Sequence, residues 1–597
     1  MNRNIAFFIS SNNDNDPQYI KAMKHFKGLA DRYRFNMSSY DYKKLHIHII
    51  HQNQLTYTDS GELRLGGGRI QFNIGNFNDN IIERDRFLKI SICQEYVSIT
   101  NDYAGTIPVY YSLRNYISIS NIEPCVVIDS KTCCNDLSWE NIYGYLRYMH
   151  FIWDETAYKH INIALPDSET IFNIDALTIK SNYLESISSK ISLANANERQ
   201  VASKLFELNR SLVKDALRDY DKIILPLSSG YDSRMIFAVL SDDAELKKKL
   251  YCYTYGGTGS VEVEAARQLS KKHRIQWRSI ELPCKFLQQD RQQKIFDIFG
   301  SSLHMHGMYQ LEFFEEVYKW NKNLSNTCLT SGFMTGVPAG QHNYILNIKN
   351  KTDKLTKAMD NFSQSKYWLN DELNEIRVFK DKNYIEAAEF RFRKAFDRFN
   401  GEIFQKAVVF DVWTRQRNFI SYYPRTLEWI IPTVSPHMNI EYINFFMSLN
   451  KEYLDNRKAV ELMFLFHYPK CAKIISNSNG LGIIANNSVE NLLFFIYNKL
   501  HTRKLKLNRL KLYNLLPKIF QNIPFEFDIP ALKNTGKEGV YPLFNYEKYE
   551  GNIFGEIFID KIEWLYNNAI NGDIKSHEKL ILLQPLIWAS ISLFENE

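Results

Sequence analysis

Between Lys222 and Leu240 the sequence reads KIILPLSSGYDSRMIFAVL, two apolar stretches separated by Ser228-Ser229-Gly230-Tyr231-Asp232-Ser233. Three serine hydroxyls, a glycine and one carboxylate in six residues suit the cradling of an anion. The hydroxyls donate, and Gly230 permits a close backbone approach or an unusual φ. KIILPL reads as a strand apolar on both faces and therefore buried, and SRMIFAVLSDD as a buried helix. A loop between the C-terminal end of such a strand and the N-terminus of such a helix presents backbone amides and the positive end of a helix dipole. The pattern predicts a phosphate cradle built from Ser228, Ser229, Gly230 and Ser233. No lysine follows Gly230, so the GxxxxGK[ST] pattern of Walker loops is absent. Asp232 would repel phosphate unless a divalent cation lay between them, so it reads as a Mg2+ ligand beside a pyrophosphate. The competing reading is a Ser/Asp N-cap on an ordinary helix.

Other clusters carry chemistry less directly. Arg234 follows the loop and fits either a substrate carboxylate or phosphate, or a plain surface position. His304, His306, Tyr309 and Glu312 fit substrate contact with acid–base work, or packed helix residues. Arg415, Arg417 and Asn418 read as nucleotide or substrate contacts or, in preference, as surface charge. Lys499, Arg503, Lys504, Lys506, Arg509 and Lys511 have no acid between them and alternate with leucines. They fit a surface helix with a solvated face better than a helix that touches a membrane or polyanion. The eight cysteines are scattered without a CxxC pair, which excludes zinc-ligand spacing and suits free thiols in a reducing compartment.

The elements that must position these residues fall into two textures. Residues 1–190 are β-rich, with alternating runs such as KLHIHII, RIQFNIGNF and FLKISICQEYVSIT separated by turn residues. A helix is expected over 138–149, with Ser138 as its N-cap and Asn141 in its first turn. From 197 the pattern becomes helix, then strand KIILPL, helix, strand LYCYTYGG, helix VEVEAARQLSKKH and strand QWRSIEL. That alternation is the signature of a parallel α/β sheet with all strand C-termini on one edge. The remainder is mostly helical and rich in aromatic residues.

Composition bounds the function classes. A chain of 597 residues is too long for one core, and 45% hydrophobic with 23% charged residues is ordinary for a globular protein. A formal charge of +6 spread over this length does not make a nucleic-acid binder. No stretch approaches the length of a membrane-spanning helix, and the N-terminus lacks the form of a signal peptide, so a cytoplasmic location is expected.

Several places agree with one family, in order along the chain. LSSGYDS is similar to the SGGxDS pyrophosphate loop of ATP pyrophosphatases. NDYAGTIPVYYS (Asn101 to Ser112) resembles the DxxGxxPxYY signature of the asparagine synthetase family, which includes β-lactam synthetases and lasso-peptide cyclases. HINIALPDSETIFNID resembles that family's IxxLPPGxx hairpin, with Asp167 in place of glycine. YTYGGTGSVEVEAARQLSKKH resembles the segment after the second strand, with Glu262 ahead of its ExAR helix. LTSGFMTGVPAG (Leu329 to Gly340) falls where the family has [ST]GxxxDE, and IIPTVSPHMNIEYINFFMSLN where it has PxxD. The resemblance covers essentially the whole chain.

It implies an N-terminal layered αββα domain of the N-terminal-nucleophile type over 1–190. An ATP-pyrophosphatase-like synthetase domain with a helical C-terminal part follows over 197–597. It implies an ATP- and Mg2+-dependent ligase that adenylates a carboxylate, releases pyrophosphate and passes the acyl group to an amine, AMP leaving. Carried over by position, Ser228, Ser229, Gly230, Asp232 and Ser233 hold pyrophosphate and Mg2+, and the backbone of Leu227 meets adenine. Tyr253 and Gly256 line the nucleotide pocket, Ser331 and Gly332 flank the ribose or α-phosphate, and Lys458 assists adenylation or amide formation. The substrates expected are a small-molecule, peptide or sugar carboxylate and an amine donor, with a homodimer open to the chain. Departures are equally specific. Asn2 stands where glutamine-hydrolysing members carry a cysteine, and the first cysteine is Cys93, so no glutaminase activity is expected. Ser229 replaces a glycine, Asn439 an aspartate, and Gly336 and Val337 the Asp-Glu pair. Glu262 or water would have to replace the lost metal ligand. The other reading consistent with these losses is a catalytically degenerate scaffold or binding protein.

Overall fold

The computed structural model describes residues 3–52, 70–75, 86–93, 95–255, 261–280, 289–302, 317, 319, 326–341, 368, 370–380, 383–474 and scattered positions between 561 and 586. The described residues are mixed α/β, with two antiparallel sheets followed by one parallel sheet.

The first half holds strands β1 (Arg3–Ser10), β2 (Asn36–Tyr42), β3 (Leu45–Gln52), β4 (Ile70–Gly75), β5 (Phe87–Ile92), β6 (Tyr96–Asn101), β7 (Tyr110–Ser112), β8 (Ser118–Ser120), β9 (Asn162–Ile163), β10 (Ser168–Asn173) and β11 (Thr178–Tyr183). Its helices are α1 (Pro17–Tyr33), α2 (Glu123–Asp129) and α3 (Trp139–Tyr148). One sheet has the order β2-β3-β1-β8-β7-β9 and the other β11-β10-β6-β5-β4. The two-residue period of a strand sorts side chains to opposite faces. Phe7 and Ile9 of β1 meet Phe72, Ile90 and Val97 of the second sheet, while Ala6 and Phe8 meet Phe26 and Leu29 of α1 and Val126 of α2. Burial on both faces explains why β1 carries an unbroken apolar run. Ser138 does cap α3, its Oγ accepting from Asn141 N–H at 3.4 Å.

The second half begins with α4 (Glu198–Leu217), closed by a capping box between Asn197 and Gln200. There follow β12 (Lys222–Pro226), α5 (Tyr231–Asp242), α6 (Ala244–Lys249), β13 (Leu250–Tyr255), α7 (Val261–His273), β14 (Gln276–Ile280), α8 (Gln289–Phe299) and β15 (Thr327–Thr330). Then come α9 (Tyr384–Asp397), α10 (Ile403–Asp411), a π-helical stretch Val412–Ile420, α11 (Tyr422–Glu428), β16 (Thr433–Val434), α12 (Ile440–Met447) and α13 (Lys458–His467). The sheet order is β14-β13-β12-β15-β16, with every pair parallel.

The halves share a core. Phe299 of α8, Phe392 of α9, Phe410 of α10 and Tyr422 of α11 lie in one apolar cluster with Phe26, Val126 and Tyr145. Polar contacts cross the same seam. Arg417, about 1% exposed, donates to the carbonyls of Gly105, Trp153 and Ala164. Asn418 donates to Phe151 O at 2.7 Å, and Trp413 to Tyr103 O at 2.8 Å. Buried Glu123 accepts from Ser301 and Ser302. Arg417 and Asn418 therefore do not sit on the surface. They satisfy buried carbonyls between the halves. Asp167 adopts φ 50, the left-handed conformation that glycine takes without strain, and its carboxylate accepts from Ser186 N–H at 3.1 Å.

Candidate active site

Strand β12 neighbours both β13 and β15, with β14 beyond the first and β16 beyond the second. The order of strands reverses between β12 and β15, the point at which open α/β sheets bind their ligands. Two segments leave the sheet there, 227–230 after β12 and 331–341 after β15.

The first segment is tightly bonded. Ser228 N–H donates to Ser233 Oγ at 3.0 Å, the Ser228 and Ser233 hydroxyls are 2.9 Å apart, and Gly230 N–H donates to Ser228 Oγ at 3.2 Å. Ser229 N–H donates to the carboxylate of Glu262, on α7. The N-cap of α5 is Gly230, and no side chain caps that terminus. The Ser/Asp cap expected of an ordinary helix is therefore not formed; the serines bond one another instead. Ser229 is fully buried, and its hydroxyl meets no partner among the described residues.

The second segment presses on the first. A Cβ at Gly332 would lie 3.0 Å from Asp232 Cβ and 3.1 Å from Ser233 N, and one at Gly336 3.0 Å from Asp232 Oδ2 and against Gln341 Oε1. The position where an acid was expected thus does adjoin Asp232, and the amide of Gln341 fills the space. A buried network holds this segment. Thr335 Oγ1 is 2.7 Å from His437 Nδ1, His437 Nε2 is 2.8 Å from Asn209 Oδ1, and Tyr442 O–H donates to Thr335 O at 2.8 Å. Burial drives the imidazole of His437 down to about 3, so it is neutral.

Asp232 Oδ1 is ion-paired to Arg457, whose guanidinium also lies over the Tyr231 ring, 4.9 Å from its centroid. Tyr231 O–H in turn donates to Glu461 at 2.8 Å. These contacts test the expected Mg2+. The oxygens left are Asp232 Oδ2 and the Gln341 amide, because Glu262 is turned to Ser229 N–H. By Coulomb's law, a guanidinium about 5 Å from a divalent ion cancels roughly half the attraction of a carboxylate about 2.5 Å away. Among the described residues, no cluster of three or more His, Cys, Asp or Glu is placed to hold a metal. The residues do not fit a dedicated Mg2+ site. The loop does offer what an anion needs, an uncapped helix terminus and buried donors at Ser229 and Arg457.

The other expected residues are placed as follows. Leu227 N–H donates to Tyr253 O at 2.8 Å and Leu227 O accepts from Thr254 Oγ1 at 2.6 Å, so both groups serve the sheet and one carbonyl lone pair remains. The ring of Tyr253 is buried in a cluster with Ile224, Leu329 and Ile431. Ser331 Oγ accepts from Phe333 N–H at 3.1 Å. Lys458 turns away, its ammonium 2.8 Å from Glu198 on α4, a pairing that raises its pKa. Its neighbour Arg457 is the residue that reaches the loop. Arg234 lies beneath, fully buried, donating to the carbonyls of Ser229, Cys471 and Ile474, so it is not a surface residue. Asn439 caps α12, accepting from Glu441 N–H at 2.8 Å. Gly256, the His304–Glu312 cluster and the basic segment 499–511 lie outside the described residues. Arg457, Gln341 and His437 were missed. Only Arg457 had a signal, its place beside Lys458.

Comparison with known proteins gives few landmarks. No family model matches the sequence, and no curated protein matches it. Among solved structures, an NH3-dependent NAD synthetase from Campylobacter jejuni matches at 15% identity over 34% of this chain and 98% of its own, with a TM-score of 0.19. A glutamine phosphoribosylpyrophosphate amidotransferase from B. subtilis, complexed with ADP and GMP, matches at 8% identity over 46% of this chain and 91% of its own, with a TM-score of 0.20. Neither figure assigns this chain to a family. Among the described residues, no helix is long and apolar enough to cross a membrane.

Proposed function

We propose that the chain binds ATP in the crevice between 227–230 and 331–341 and uses it to join a carboxylate to an amine, with release of AMP and pyrophosphate. One observation supports this above the others. A glycine- and serine-containing loop with an uncapped helix terminus sits where the strand order reverses, and Gly332 and Gly336 close over its acid. In this reading Ser228, Ser229, Gly230 and Ser233 receive the polyphosphate, Ser331 and Gly332 flank the ribose or α-phosphate, and Leu227 O faces adenine. Glu262 leaves Ser229 N–H as the anion enters.

A carboxylate oxygen of the substrate attacks the α-phosphorus, and the bond to the bridging oxygen breaks, so pyrophosphate departs with that electron pair. The amine then attacks the acyl carbon, AMP leaves with the electrons of the acyl–oxygen bond, and the amine proton passes to solvent or a base. Donors fixed on the departing pyrophosphate speed the first step by stabilising charge as it develops. In this reading the amine would come from the substrate, from free ammonia or from a partner protein. Lys458 would have to leave Glu198 to act. In the order of its motifs this reading resembles the asparagine synthetase-like carbon–nitrogen ligases.

The Asp232–Arg457 pair and the glycine at 336 favour a second reading, a degenerate relative that binds nucleotide without adenylating. ATP–pyrophosphate exchange over a panel of amino-acid, peptide and uronate carboxylates separates the two. Exchange with any carboxylate supports the ligase. Its absence throughout, with ATP still bound, supports the binding protein.

A further inference from the structure

We propose that Arg457 takes the place of a divalent cation, so that the loop binds the polyphosphate of a nucleotide as the metal-free anion with this guanidinium as its counter-charge. The inference rests on the reading of 227–233 as a nucleotide site and goes beyond it in assigning the form of the ligand.

Three observations carry it. The first is donor supply. Arg457 is about nine-tenths buried, yet among the described residues its side chain donates only from Nη2 to Asp232 Oδ1, and Nε is buried with no acceptor among them. Ser229, in the same loop, has a buried hydroxyl in the same condition. Unused donors call for acceptor oxygens such as those of phosphate, whereas a metal ion needs lone pairs. The second is fixation. The guanidinium is held against the Tyr231 ring, and Tyr231 is tied to Glu461. The backbone at Asn456 and Arg457 is left-handed, with φ 50 and 61, uncommon for non-glycine residues and maintained only where the surroundings impose it. The third is the missing carboxylate. Gly336 adjoins Asp232 Oδ2 and bears no acid, so a cation there has one carboxylate, already paired. Asp232 becomes the group that holds Arg457 ready and yields it when phosphate arrives. A planar guanidinium meets two phosphate oxygens at once, which a lysine would not.

Asp232 then acts in the direction opposite to that of a metal ligand, which makes the test sharp. ATP binding to the full chain is measured by calorimetry in EDTA and in excess Mg2+, for the wild type, Asp232→Asn and Arg457→Gln. The proposal expects wild-type affinities that agree within about threefold in the two buffers. It expects binding retained, or tightened up to about tenfold, in Asp232→Asn, and weakened at least about thirtyfold in Arg457→Gln under both conditions. The wild-type comparison stands even if a variant misfolds. Binding that requires Mg2+ and is lost in Asp232→Asn would overturn the proposal while leaving the nucleotide site intact. No binding in either buffer would overturn both.

Discussion

Replacing Gly336 by aspartate returns a second carboxylate to the face of Asp232, and its consequences can be worked from the geometry. Gly336 is not in the left-handed region, and a Cβ there would displace only the amide end of the exposed Gln341 side chain. That Cβ would lie 3.0 Å from Asp232 Oδ2. The carboxyl carbon stands about 1.5 Å further out, so the two charges fall roughly 4 Å apart. Their repulsion is about 4 kcal/mol at an effective dielectric constant of 20 and about 1 kcal/mol in water. Asp232 is 32% exposed at its side chain and partly neutralised by Arg457. The loss therefore lies between those limits, at about 2 kcal/mol. At roughly 1 °C of Tm per kcal/mol for a unit of about 400 residues, Gly336→Asp in EDTA should melt about 2 °C below the wild type. Two facing carboxylates form a divalent-cation site, so Mg2+ should recover most of that drop in the variant and leave the wild type unmoved. Thermal unfolding followed by intrinsic fluorescence, with and without Mg2+, decides. A wild type stabilised by Mg2+ as strongly as the variant, or a variant that loses nothing in EDTA, would refute the reasoning about this site.

Further outcomes follow from neighbouring contacts. Arg417→Met leaves two buried carbonyls and a half-buried one between the halves without this donor and should lower stability by about 3–5 kcal/mol in urea unfolding. Burial raises the carboxyl of Glu123 to about 7, so the folded state holds a proton that the unfolded state releases near pH 4.5. Its contribution is complete below pH 4.5 and is lost as pH rises to 7, by roughly 3 kcal/mol, and Glu123→Gln should flatten that part of the stability–pH curve. Glu262→Gln removes the carboxylate held on Ser229 N–H and should tighten ATP binding by about tenfold in calorimetry.

Much of the fold was legible because it rests on local periodicity. The period-two runs of β3, β4, β5 and β6 announced layered sheets, whereas β1, an unbroken apolar run, carried no such signal, and the strand–helix alternation from 222 announced a parallel sheet with the serine loop at its C-terminal edge. Ser138, as a cap, depends on three residues and was read correctly. The rest was hidden by distance in sequence. Arg457 meets Asp232 across 225 positions, and nothing local distinguishes it from Lys458, which turns to Glu198. Arg417 and Arg234 looked like surface or substrate charges because arginine usually is; each instead satisfies carbonyls in a buried seam that the sequence does not mark. The shared core between the halves follows from aromatic residues whose partners lie hundreds of positions away. The likeness to a synthetase loop placed Gly336 beside Asp232, but not the ion pair that changes what the pair of positions can hold.

The central claim, that this crevice activates a carboxylate with ATP, is met most directly by the products of turnover. ATP is incubated with the protein, a carboxylate panel and hydroxylamine as a small amine, and phosphorus NMR follows the nucleotide. The account predicts AMP and pyrophosphate in equal amounts, matched by hydroxamate and dependent on the carboxylate. ADP and inorganic phosphate, or unchanged ATP with every carboxylate, would contradict it.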